Sequence, residues 1–212
     1  MTKLERIAQD KARARRYTRN IVRAYRKASD RQRQAGAAWY PNESAATRTV
    51  GAGLTREQCA GIVAALSPGL KWTRNVWWAR ELALAWREGR AESLKIPTYC
   101  YGNVRKAIRI LAGESPNEVL SGPKVTAFYR LLRDGGNSAD VCVDGHAVLI
   151  AKGEDGTIRG EGSKAARVTE AQYKLVADCY RRAARTVGAR PFEVQATTWL
   201  AKRAAGQEEV PF

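Results

Sequence analysis

Apolar residues recur at three- and four-residue steps along almost the whole chain, the spacing of amphipathic helices rather than strands. Leu4, Ile7, Ala8, Ala14, Tyr17, Ile21, Val22 and Tyr25 give residues 3–35 a partial apolar stripe, which predicts one long helix. Its other face carries Arg13, Arg15, Arg16, Arg19, Arg23, Arg26 and Lys27, part solvated surface and part candidate phosphate-tracking arm. Gly36 and the WYPN run at 39–42 predict a break, with Pro41 and Asn42 ending the helix. The helical pattern resumes at Ala45–Val50 and turns at Gly51–Leu54. Thr55 with Gln58 three residues on forms a capping box for a helix over Arg56–Leu66. Further helices are predicted at Asn75–Glu88, Tyr101–Ala112, Pro116–Leu120, Val125–Arg133 and Val141–Ala151. Residues 152–168 are Gly-rich and aperiodic, a loop. Thr169 caps a helix running to Val187, and Pro191 starts the last one, Phe192–Ala205. The expected fold is all-α with roughly eight or nine helices: a basic helical arm at 1–40, a helical domain at 41–205 and a loose tail at 206–212.

Charge sharpens this picture. Against 37 Lys plus Arg stand 21 Asp plus Glu, a formal +16, with a pI near 10.1. Such an excess gains affinity by releasing counterions from a polyanion, so DNA is the expected partner. No apolar run approaches the ~20 residues a membrane helix needs, and the charged N-terminal helix lacks the apolar core of a signal peptide. A soluble cytoplasmic protein with no membrane partner is expected, as a monomer. Cys59, Cys100, Cys142 and Cys179 lie far apart with no CxxC pair, which argues against a zinc ribbon, an iron–sulfur loop or a disulfide framework. No metal or cofactor is expected, and the thiols read as buried residues in a reducing compartment.

Candidate chemistry concentrates in Leu120–Ala151, LSGPKVTAFYRLLRDGGNSADVCVDGHAVLIA. Gly122 can adopt the positive φ of a tight interhelical turn. Beyond it, the amides of Lys124 and Val125 stand at a helix N-terminus, where exposed N–H groups and the macrodipole favour a phosphate. Pro123 gives up its N–H at a first-turn position that tolerates the loss. Downstream, Asp144 sits among Val141, Val143, Val148 and Leu149, a costly place for a carboxylate without partners. It is read both as the N-cap of the following helix and as a candidate catalytic group. His146 is the only histidine, either a structural residue or a second site residue.

This stretch resembles the core of the helix-hairpin-helix DNA glycosylases of the endonuclease III type. Two further segments follow that family's order: AALSPGLKWTRN at 64–75, and YGNVRKAI at 101–108 with its Lys-Ala pair. Together the three cover about residues 55–152, roughly half the chain. More distantly, the whole chain is similar to basic helical proteins encoded by actinobacterial phages, which would place it in the host cytoplasm. The resemblance implies a hairpin that holds the DNA backbone and an Asp, here Asp144, that stabilises charge on the sugar of an extruded nucleotide or activates a nucleophile. It implies DNA contacts at Gly122, Lys124, Val125, Thr126, Lys71, Trp72, Arg74, Asn75, Arg105 and Lys106, and base-pocket residues at Tyr99, Tyr101 and Gln195. The two tyrosines serve either to stack on a flipped base or to pack.

The match to the family's lysine nucleophile is broken. In that pattern the lysine stands 18 positions before the Asp; here Thr126 holds that place, and Lys124 lies 20 before Asp144. Lys124 aligns only if the Arg133–Ala139 loop carries a two-residue insertion. The family's wedge glutamine after Leu-Ser is replaced by Pro68 and Gly69, with Lys71, Trp72 or Arg74 as substitutes. Trp72, Trp77, Trp78 and Trp86 read as core rather than stacking platforms, with Trp72 the most exposed. The expected function is a DNA-binding, base-flipping N-glycosylase of the monofunctional type. The alternatives are a phage DNA hypermodification enzyme, transferring an amine or amino acid to a modified thymine on the same fold, and a non-catalytic DNA-binding protein.

Overall fold

A computed structural model describes residues 2–97, 101–154 and 168–205. All regular structure among them is helical: α1 (Lys3–Lys27), α2 (Asp30–Thr47), α3 (Arg56–Leu66), α4 (Trp72–Arg87), α5 (Tyr101–Leu111), α6 (Pro116–Val119), α7 (Pro123–Asp134), α8 (Gly145–Lys152), α9 (Glu170–Val187) and α10 (Pro191–Ala205). A 3-10 turn at Ala91–Ser93 follows α4. The all-α expectation holds, and most predicted helices fall within a few residues of their places. None of the described helices is long and apolar enough to cross a membrane.

Two differences lie at the N-terminus. The predicted helix over 3–35 is divided at Ala28–Ser29, because Ser29 and Gln32 form a second capping box: each backbone N–H donates to the other's side chain, at 3.2 and 2.9 Å. Pro41, expected to end a helix, instead lies inside α2. A proline there removes one hydrogen bond and costs about 3 kcal/mol. Its own ring is exposed, while Tyr40, Ser44 and Thr47, on one face at helical spacing, are 2%, 3% and 1% exposed. Burial of that face carries the helix through the proline.

The described residues form two compact units. One takes residues 2–39 together with the chain from Ala139 onward; the other is Tyr40–Ser138. In the first, α1 packs on α8, α9 and α10, and α9 packs on α10. Its core holds Tyr17, Ile21, Tyr180, Phe192 and Val194. Asn20 on α1 donates to the carbonyl of Ala151 at the end of α8, at 2.9 Å. Gly36 of α2 lies so close to α10 that a Cβ there would meet the backbone N and Cα of Thr197 at 2.6 and 2.7 Å.

The second unit is built around α3, which packs on α4, α5, α6 and α7. The sequence pattern marks Cys59, Ile62, Val63 and Leu66 as its apolar side, yet every residue from Cys59 to Leu66 is buried. Ala60, Gly61, Ala64 and Ala65 are small enough to let neighbours close in on the other side, and Pro116 of α6 seats its ring against Gly61. Gln58 serves twice: its carbonyl completes the Thr55 capping box, and its amide donates to Ile110 at the end of α5, at 3.1 Å.

Candidate nucleic-acid interface

The α6–α7 hairpin lies in the unit Tyr40–Ser138. Gly122 is the N-cap of α7, with φ 85° and ψ 136°, a combination that a side chain strains by about 1–3 kcal/mol. No side chain caps this helix, and Pro123 occupies its first turn. The first-turn amides therefore point outward from an exposed corner: Ser121, Gly122, Pro123 and Lys124 are all exposed. Lys106 of α5 reaches the same corner, its ammonium donating to Ser121 Oγ at 2.6 Å. The structure thus gathers Gly122, Lys106 and Lys124 at one helix start. Val125 and Thr126 are half-buried behind them, and the Thr126 hydroxyl donates to the Gly122 carbonyl at 3.0 Å.

Arg105 and Tyr101 lie on the same helix as Lys106. Both are exposed, and the guanidinium sits 5.3 Å from the ring centroid. Tyr99 lies outside the described residues, as does Cys100. Lys71 and Arg74, at the start of α4, are exposed, whereas Trp72 is half-buried and Asn75 is buried. Asn75 is 1% exposed and donates through Nδ2 to the carbonyl of Val63 at 3.0 Å, satisfying an orphan acceptor in the last turn of α3. Its side chain thus serves as a cap for α3 and lies beneath the surface on which a DNA contact was expected.

The tryptophans also differ from expectation. Trp72 opens α4 and packs edge-on against Phe128, with centroids 6.0 Å apart. Its indole N–H donates to Glu43, whose carboxyl is raised by burial and lowered again by that bond. Trp77 and Trp86 are the exposed ones, at 48% and 38%. Helical spacing placed all of them on a core face, but α4 buries Asn75, Val76, Ala79, Leu82, Ala83 and Ala85 instead.

Asp144, His146 and Gln195 lie in the other unit. Val141 and Val143 lead into α8 as buried extended chain, and Asp144 is the helix N-cap, Oδ1 accepting from the Ala147 amide at 2.8 Å. The carboxylate is half-exposed, so one oxygen is spent on the cap. Tyr180 of α9 is fully buried, which pushes its phenol up, and the nearby charge of Asp144 raises it further. Held protonated, Tyr180 donates to Thr198 Oγ1 at 3.2 Å, and Thr198 passes its own proton to the carbonyl of Val194 at 2.9 Å. Gln195, 7% exposed, lies one turn before Thr198. His146 is half-exposed, with its Nδ1 buried and without a partner among the described residues.

Cys59, Cys142 and Cys179 are buried and form no disulfide among the described residues. Among the described residues no group of His, Cys, Asp and Glu is arranged to hold a metal. No curated protein and no solved structure matches the chain significantly. Residues 3–207 match the family of unknown function DUF7178, and the chain belongs to that family.

Proposed function

We propose that the protein binds DNA through the α6–α7 hairpin and acts on an extruded base or its sugar, as a monofunctional N-glycosylase. The observation that carries this reading is the exposed, uncapped start of α7, with a positive-φ glycine at its N-cap and Lys106 and Lys124 beside it. A phosphate accepts from such amides, and the two ammonium groups add charge without reading sequence. In a glycosylase, water adds to the sugar C1′ as the bond to the base breaks. A carboxylate near the ring stabilises the positive charge that develops between. Asp144 is the candidate for that role. The monofunctional form rests on spacing: counted without a gap, Thr126 falls 18 positions before Asp144, where the family has its lysine, and its hydroxyl donates to the Gly122 carbonyl.

Asp144→Asn tests the reading cleanly, because asparagine is as good an N-cap as aspartate and the fold is expected to survive. Turnover should fall about 10²–10³-fold while DNA affinity stays within twofold. Mass spectrometry of nucleosides from DNA incubated with the wild type reads the reaction itself. A released base supports the glycosylase, and a mass increase on thymine supports the transferase. Unaltered nucleosides with DNA binding retained would favour the non-catalytic binder, to which the engagement of Asp144 as a cap also inclines. Borohydride should trap no adduct on abasic DNA; a covalent complex lost in Lys124→Ala would restore the lysine mechanism.

A further inference from the structure

Half of the net positive charge of this chain lies in α1. Over its 25 residues, α1 carries ten Lys and Arg against Glu5 and Asp10, a net +8 and half the +16 of the whole chain. A merely solvated helix face alternates charge signs, since like charges three or four residues apart destabilise it. Here both acids lie in the first eight residues of the helix. Glu5 closes the capping box at Thr2, Asp10 pairs with Arg13, and no acid follows within the helix. Arg15, Arg19, Arg26 and Lys27 make no ion pair among the described residues.

The shape of the surface points the same way. Gln9, Ala12, Arg13, Arg16, Tyr17 and Arg19 line a concavity of about 550 Å³. Arg16 is exposed and lies over the Tyr17 ring, 5.7 Å from its centroid. Three guanidinium groups around one hollow suit phosphate oxygens, which arginine grips with paired N–H donors. A membrane surface fits less well. From Ala14 onward the apolar side of α1 is buried as Ala14, Tyr17 and Ile21, leaving Leu4 and Ile7 as its exposed large apolar side chains.

We propose that the arginine-lined groove of α1 is a second phosphate-binding surface for the DNA backbone, independent of the hairpin. This rests on the reading of the protein as DNA-binding. Each phosphate contact contributes about −0.9 to the slope of log affinity against log salt. In the full chain, the triple variant Arg13→Ala, Arg16→Ala, Arg19→Ala should therefore flatten that slope by about two to three, and weaken binding to a duplex oligonucleotide by about a hundredfold or more at ~0.1 M salt. The corresponding lysine triple keeps the charge and should keep the slope, which separates charge from any structural loss. Lys106→Ala with Lys124→Ala reports on the hairpin in the same assay. A wild type that does not bind the duplex overturns both this inference and the hairpin reading. A wild type that binds, loses affinity in the hairpin variant and keeps its slope in the alanine triple overturns the groove alone. Binding of the wild type to phosphatidylserine vesicles, lost in the alanine triple while duplex binding is unchanged, would overturn it in favour of a membrane surface.

Discussion

Gly36→Ala should destabilise the unit containing α1 and α8–α10 by about 3 kcal/mol or more, although alanine is the better helix former. In an exposed helix the substitution would gain about 1 kcal/mol from propensity. Here the new methyl would meet not a movable side chain but the Thr197 backbone, at 2.6 and 2.7 Å, and the Thr197 hydroxyl as well. Backbone in the middle of α10 cannot step aside without moving Phe192, Val194 and Leu200, all in the core. Overpacking therefore exceeds propensity. Thermal unfolding followed by circular dichroism should show a transition lowered by about 10 °C or more, given the entropy of a domain near 100 residues. An unchanged or raised midpoint would mean that the two helices separate more easily than this contact requires.

Asn75→Ala has the second large effect. The side chain is buried and bonded to the last turn of α3, so truncation strands the Val63 carbonyl and opens a cavity. The stranded acceptor costs about 1–3 kcal/mol, and the void adds to it. Asn75→Asp should be worse, because it removes the donor and places a charge in an apolar site. Chemical denaturation of the two variants gives the order directly. Per folded molecule, duplex affinity should match the wild type in both, since Asn75 reaches no surface. A selective loss of affinity with stability intact would return Asn75 to the interface.

These two residues illustrate what the sequence carries and what it does not. Helices with local punctuation were legible. Thr55 with Gln58, Thr169 before Glu170 and Pro191 at a helix start are short-range signals, and the structure uses each of them. The Ser29–Gln32 box is of the same kind, but it lay inside a continuous run of helix-forming residues and left no break in the pattern. Pro41 misled for the opposite reason: its local cost is real, and burial of Tyr40 from distant parts of the chain outweighs it. Whether a polar residue near a helix start is a ligand or a cap depends on which carbonyl lies beside it, and Asn75 meets one twelve positions back. The turn at Gly122 and the cap at Asp144 are local and were found, while the arrival of Lys106 at Ser121 is not. The tryptophans show the limit of periodicity, since α4 has enough apolar residues to offer two faces and only packing selects the one that is buried.

The order in which the chain is made has a consequence for the first unit. Residues 40–138 are contiguous, so their helices can associate as they emerge from the ribosome. Helix α1 and the first half of α2 have no such partners at hand, because α8–α10 follow more than a hundred residues later. At synthesis rates of about 5–20 residues per second, α1 waits roughly 10–35 s before α8–α10 are complete and its apolar side can be covered. Throughout that interval it is a nascent, arginine-rich segment beside ribosomal RNA. Early stalling or retention of the chain on the ribosome, relieved by moving the codons of residues 1–39 behind those of α10, is the expected signature of this topology.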